Sequence, residues 1–167
     1  MTPPDPRIRP ATDQDWARIW PFFTEIVAAG ETYAFPEDLT LETGRRLWMS
    51  EPPALTVVLE DDGRILGSAT MGPNRPGRGD HVGTASFMVD PAASGRGVGR
   101  ALASYVVDWH REQGFAGIQF NAVVETNEAA VHLWQSFGFE IIGTVPRAFR
   151  SATHADVGLH VMYLDLR

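Results

Sequence analysis

The chain has 167 residues, 44% hydrophobic and 21% charged, a balance that fits an ordinary globular protein and argues against fibre and disorder. Its formal charge is −7 and all 14 basic residues are Arg, which argues against nucleic acid or an anionic membrane as the main partner. The absence of Cys excludes disulfides, thiolate metal sites and an acyl-cysteine intermediate, so group-transfer chemistry here has to be direct.

This length predicts one domain over residues 1–167. Met1 to Pro6 lacks the basic flank and apolar run of a signal peptide, and no segment approaches a membrane span, so a cytoplasmic location is expected. A short strand begins at Ile8. Thr12, with an acid three residues later at Asp15, reads as a helix start, and Trp16, Ile19, Trp20, Phe23 and Val27 form the apolar stripe that follows. Pro21 is expected to bend or interrupt that helix. A loop opens at Gly30-Glu31-Thr32-Tyr33, and Thr40 to Met49 carries a weaker helical pattern with Gly44 inside it. Leu55–Leu59 and Ile65–Met71, joined by Asp61-Asp62-Gly63, read as an antiparallel hairpin.

Pro73 to Asp80 is the most loop-like stretch, and a strand over about Val82 to Val89 stops at Asp90-Pro91. Val98, Leu102, Tyr105, Val106 and Trp109 share a helical face that ends near Gly114. Ile118 to Val124 reads as a strand, Asn127 as the cap of a helix running to Gly138, and Val157 to Leu166 as a closing strand. The order is mixed α/β (α+β), with both later helices starting at the carboxyl edge of the sheet, where open α/β folds bind ligands.

The most informative segment is Ser94-Gly95-Arg96-Gly97-Val98-Gly99-Arg100, in which alternating glycines run into a helix. Glycines allow close approach to the main chain, the first N–H groups of a helix lack intrahelical partners, and two Arg side chains stand at the same place, so the loop suits a polyphosphate. A nucleotide-triphosphate loop needs a Lys, which the chain lacks, and the dinucleotide fingerprint fits poorly because Gly117-Ile118-Gln119-Phe120 stands where its acidic residue belongs.

With Val89-Asp90-Pro91 before it, the loop resembles the coenzyme A pyrophosphate loop of the GCN5-related N-acetyltransferases (GNAT), except that Ser94 stands at the usual Gln or Arg. Asn127 to Phe139, with Asn127, Ala130, Trp134 and Gly138-Phe139, resembles the second signature of the same family. The run Phe120 to Asn127 and the Pro73-Asn74 loop look most like the azetidine-2-carboxylate acetyltransferases, which modify proline analogues, and phosphinothricin-type acetyltransferases are more distant.

The resemblance implies a GNAT fold: a mainly antiparallel mixed sheet, splayed between strands 4 and 5 and flanked by helices. It implies acetyl-CoA as co-substrate, held by Met88, Val89, Ser94, Gly95, Arg96, Gly97, Val98, Gly99, Arg100, Asn127, Ala130 and Trp134, with the backbone N–H of Val89 as oxyanion donor. It implies a small-molecule amine as acceptor, a homodimer as the assembly if there is one, and no metal. Where many relatives carry a Glu base this chain has Thr84, and where they carry a Tyr acid it has Trp134, whose indole is no usable acid.

Asn121 matches the strand Asn that contacts the acceptor in the nearest relatives, and a satisfied core amide is the competing reading. Glu125 is a candidate water-linked base or a solvated strand end. Glu31 and Tyr33 lie on the loop that folds over the acceptor in the family. The five His residues show no metal-ligand spacing, and His110 and His132 are expected at the surface. Arg75 and Arg78 either clamp a substrate carboxylate or solvate a loop. Two further functions stay open at this point: acetylation of a protein or peptide, and non-catalytic binding or sensing of an acyl-CoA.

Overall fold

The computed structural model describes residues 6–167. Its strands are β1 (Arg7–Pro10), β2 (Leu55–Asp61), β3 (Arg64–Pro73), β4 (Val82–Val89), β5 (Gly117–Val124), β6 (Glu140–Arg150) and β7 (Asp156–Asp165). Its helices are α1 (Trp16–Ala29), α2 (Leu41–Trp48), α3 (Val98–Glu112) and α4 (Glu128–Ser136). The strands form one sheet in the order β1-β2-β3-β4-β5-β7-β6, antiparallel at every junction except β4–β5.

Thr12 starts the first helical segment as its sequence suggests, donating from its N–H and hydroxyl to the Asp15 carboxylate at 2.7 and 3.1 Å. One 3₁₀ turn, Asp13–Asp15, precedes α1. Asp15 is buried, and the Arg9 guanidinium paired with it holds its carboxyl far below the usual range. Pro21 does not interrupt α1, which runs continuously through it. Burial of Trp16, Ile19, Phe23 and Val27 on both sides of the proline supplies packing that outweighs one missing helix hydrogen bond. In α2, Gly44 is required by close approach, since a Cβ there would lie 2.5 Å from the Trp20 ring.

Two features differ from expectation. β6 is a full strand that its sequence conceals, because Gly143, Pro146 and Arg147 interrupt any alternation; its pairing with β7 is irregular between Ile141 and Gly143 and between Val145 and Phe149. His110 is not at the surface but fully buried, packed against Gly83 so closely that a Cβ at Gly83 would lie 2.2 Å from the imidazole. The helical face containing Val106 also carries the position four residues on, so His110 follows that face inward.

The His110 Nδ1 bonds the Val106 carbonyl at 2.7 Å, and Nε2 has no partner. Burial pushes the imidazole below its ordinary value of 6.5. The unfolded chain therefore binds a proton here more readily than the folded one, so His110 leaves stability intact above the ordinary value and erodes it as pH falls below. His110→Leu is expected to be near neutral at pH 7.5, since it removes an unpaired buried nitrogen, and to reduce the loss of stability on going to acid. Urea unfolding of both proteins at the two ends of that range measures the difference.

Candidate active site

The site arises where the sheet comes apart. β4 and β5 pair only through Val82↔Gly117 and Gly83↔Ile118, after which the parallel strands diverge. The gap opens into a cavity of about 570 Å³. One wall is β4 from Thr84 to Phe87 together with Val89, the opposite wall is Phe120 to Val124, and α4 with its cap closes one side through Asn127, Ala130 and Trp134. Residues 32–35 cover another side, and Gly99 reaches the cavity from the first turn of α3.

The two edges of β4 follow from strand alternation. The Asp90 N–H donates to Leu66 on β3 at 2.9 Å, whereas the Phe87 N–H donates to the Tyr33 hydroxyl at 2.8 Å. Residues of odd number thus turn their N–H groups toward the splay, and Val89 shares that edge with Phe87. Met88 is oriented oppositely: its side chain is buried in the core with α1, and its carbonyl oxygen lies beside Gly67 on β3.

Tyr33 does more than sit on a loop. Its hydroxyl also donates to the Phe87 carbonyl at 2.5 Å, so one side chain satisfies both main-chain groups that the splay deprives of a strand partner. The ring stacks on Phe35 at 5.1 Å, and burial pushes the phenol well above its ordinary value, which keeps it protonated at neutral pH and rules it out as a base. Tyr33→Phe is expected to lower stability by roughly 1–3 kcal/mol by leaving the Phe87 peptide unpaired. A thermal melt showing no change would contradict this role.

In the glycine loop, Gly95 and Gly97 adopt φ of +77° and +78°, and Gly97 is the residue before α3. Such values favour glycine, and no atom within 4 Å would obstruct a Cβ at either position, so backbone conformation rather than crowding selects glycine here. The arginines do not converge on the loop. Arg96 pairs with Asp61 of β2 at 2.7 Å, and Arg100 donates to Ser136 at the end of α4 at 3.2 Å and lies over the ring of Phe137, the residue after that helix. Ser94 is exposed.

Asn127 caps α4 by accepting from the Ala130 N–H at 3.3 Å. Trp134 is buried in an aromatic wall, with ring centroids 4.6 Å from Phe87 and 4.8 Å from Phe120. Thr84 lines the cavity near its closed end and brings no ionisable group.

Asn121 is exposed and lines the cavity, so the core-amide reading is corrected. The β5–β7 register shifts between Phe120 and Val123, and this irregularity releases Asn121 from the packed face. Its Nδ2 donates to Asn74 at 2.7 Å and its Oδ1 accepts from Gln119 at 2.9 Å, a row of three carboxamides from the β3–β4 loop to β5.

The two carboxylates proposed from sequence point elsewhere. Glu31 accepts from the Ser151 hydroxyl, the Thr153 N–H and the Thr153 hydroxyl, bonds that tie its loop to the β6–β7 turn and hold its carboxyl below the ordinary value. Glu125 accepts from the Gly158 N–H at 2.5 Å. Neither lines the cavity. Sequence reasoning missed Phe149 and Leu159, which complete the wall. Phe149 was hidden with the rest of β6, and the apolar character of Leu159 within the closing strand was the only signal for it.

The sequence profile of the Acetyltransferase (GNAT) family matches residues 16–139. The chain belongs to this family. The structure of a GCN5-related N-acetyltransferase from Kribbella flavida superposes with a TM-score of 0.93 at 58% identity, covering 96% of this chain and 98% of that one. The L-amino acid N-acyltransferase MnaT of Escherichia coli (strain K12) is 30% identical over 84% of this chain and 83% of its own length. The structure of yncA, a putative acetyltransferase from Salmonella typhimurium with its cofactor acetyl-CoA, shares the fold with a TM-score of 0.84 at 24% identity, over 98% and 95% of the two chains. Other curated relatives are longer, and the GNAT chain spans 49% of one and 15% of another. Membership of this family favours an acetyltransferase over the non-catalytic reading. No helix among the described residues is long and apolar enough to cross a membrane, and no group of three or more metal-ligating side chains occurs among them.

Proposed function

We propose that this GNAT domain, spanning residues 1–167 and working in the cytoplasm, transfers the acetyl group of acetyl-CoA directly to the amine of a small amino or imino acid. The observation that carries the reading is the cavity itself. It has the first turn of α3 at one side and the exposed Asn121 carboxamide at another, with an apolar passage between them. The fit to acetyl-CoA rests on the α3 N-terminus, whose leading N–H groups suit a pyrophosphate, and on the diverging β4 edge, which suits an extended amide chain. Gly95 to Arg100 with Ser94 would hold the pyrophosphate, and Val89, Asn127, Ala130 and Trp134 would flank the thioester arm. Bound there, the co-substrate supplies an activated acetyl group.

The residues of the chain then have limited tasks. The Val89 N–H would stabilise negative charge on the carbonyl oxygen, and Asn121 would orient the acceptor amine. Thr84 offers no base, and Glu31 and Glu125 are turned to other partners, so the amine must arrive neutral and the departing thiolate must take its proton from water. The rate is therefore expected to rise with pH until the acceptor is deprotonated, with a midpoint that moves when the acceptor is changed.

The cavity lining contains no Asp or Glu, which favours a small acceptor over a basic peptide. The test is an acceptor panel of small neutral amino acids, imino acids and basic peptides, read by mass spectrometry of the acetylated product. Product from the amino or imino acids supports the proposal. Product from the peptides alone would overturn it.

A further inference from the structure

β5 loses its strand partners on both edges where Asn121 stands. β4 leaves it after Ile118, and the register with β7 passes from Phe120↔Met162 to Val123↔His160, so Asn121 and Ala122 have no partner pair on either side. Both are exposed. Such a bulged stretch aims a side chain out of the sheet, but without ladder bonds it does not by itself fix where that side chain sits. The missing tie comes from across the splay. The Asn74 Oδ1 accepts from the Asn121 Nδ2 at 2.7 Å, and the main chain of Asn74 is seated at the closed end. Its N–H donates to the Val82 carbonyl at 2.8 Å, next to the Pro73↔Gly83 pair, where β4 is still joined to β5 through Val82↔Gly117.

We propose that Asn74 is a positioning residue for the acceptor, holding the Asn121 carboxamide in the place and direction from which it meets the incoming amine; this rests on Asn121 being the group that orients the acceptor. Asn74 does not line the cavity, so it acts through Asn121 and not on the substrate.

The Gln119 Nε2 holds the other end, donating to the Asn121 Oδ1 at 2.9 Å, so the carboxamide is fixed with its oxygen toward Gln119 and its nitrogen toward Asn74. A carboxamide offers two acceptor and two donor positions; the row takes one of each and leaves one lone pair and one N–H for a ligand. Gln119 lies two residues away on the same strand and moves with Asn121, whereas Asn74 is 47 positions away on the far side of the splay. Of the two bonds, the one to Asn74 therefore sets the side chain against the β4 wall of the cavity. The part of Asn74 in the row is that of an accepting oxygen, which an aspartate supplies equally well.

Steady-state kinetics with the amino or imino acid acetylated fastest in the acceptor panel, together with calorimetry of acetyl-CoA binding and a thermal melt, test this. Asn74→Ala is expected to lower kcat/KM for the acceptor about tenfold, with acetyl-CoA affinity within about twofold of wild type and little change in melting temperature. Asn74→Asp, which keeps the accepting oxygen, is expected to retain activity within about threefold of wild type. Because Asn74 acts through Asn121, adding Asn74→Ala to Asn121→Ala should cause no further loss. A double variant whose loss is the product of the two single losses, an Asn74→Ala protein with wild-type kcat/KM, or an Asn74→Asp protein as impaired as Asn74→Ala would each overturn the role of Asn74 while Asn121 kept its own. Wild-type turnover in Asn121→Ala would instead overturn the reading of Asn121 on which that role rests.

Discussion

Asn121→Ala is expected to lower acetyl transfer by about 10²-fold while leaving acetyl-CoA affinity nearly unchanged, since misplacing a reactant by about 1 Å can cost that much. The cofactor loop lies at α3 and the substituted amide on β5, so the two effects separate. Stability should shift by no more than about 0.5 kcal/mol, because the side chain is exposed and its partners Asn74 and Gln119 can turn to water. A core amide would behave in the opposite way, with a large fall in melting temperature and normal turnover in the folded fraction. Measuring the melt, the cofactor affinity and the turnover on this one variant distinguishes the two.

Gly99→Val is expected to abolish measurable acetyl-CoA binding in calorimetry while the protein stays folded. A Cβ at Gly99 would lie 3.6 Å from Leu133 and 3.8 Å from Val89, ordinary contact distances, and the backbone there has no positive φ, so the first methyl fits. The added branches of Val then occupy the mouth of the cavity at the start of α3, where the ligand would approach the main chain. Gly97 is the poorer test: at φ +78° any side chain costs roughly 1–2 kcal/mol in backbone strain, which mixes folding with binding. Wild-type affinity in Gly99→Val would remove the pyrophosphate from this loop.

Most elements were legible because each carries its own signal. Short apolar runs bounded by turn residues marked β2, β3 and β4, helical stripes marked α1 and α3, and Asn127 marked a cap that forms through a bond from the Ala130 N–H; the Thr40 cap, which accepts from the Thr43 N–H, was not foreseen. The splay was legible only through family resemblance, since nothing in the composition of Thr84 to Val89 says that the neighbouring strand will leave. β6 was lost to its internal Gly, Pro and bulges. His110 was misread because a polar residue at the edge of a helical stripe gives no sign of the glycine opposite that makes room for it. Within the site, residue types were legible but directions were not. Glu31 and Glu125 read as free carboxylates in sequence, and only the fold brings the β6–β7 turn and Gly158 against them. Tyr33 read as a loop residue, yet its position beside Phe87 makes it part of the β4 edge.

The most direct test of the account is the release of coenzyme A thiol from acetyl-CoA, followed with and without a small amino or imino acid. The account predicts release that depends on the amine, saturates with it, is lost in Gly99→Val and falls by about 10²-fold in Asn121→Ala, with acetyl-CoA still bound tightly only by the latter. Tight acetyl-CoA binding with no release above background for any amine, or equal release from wild-type protein and both variants, would contradict it.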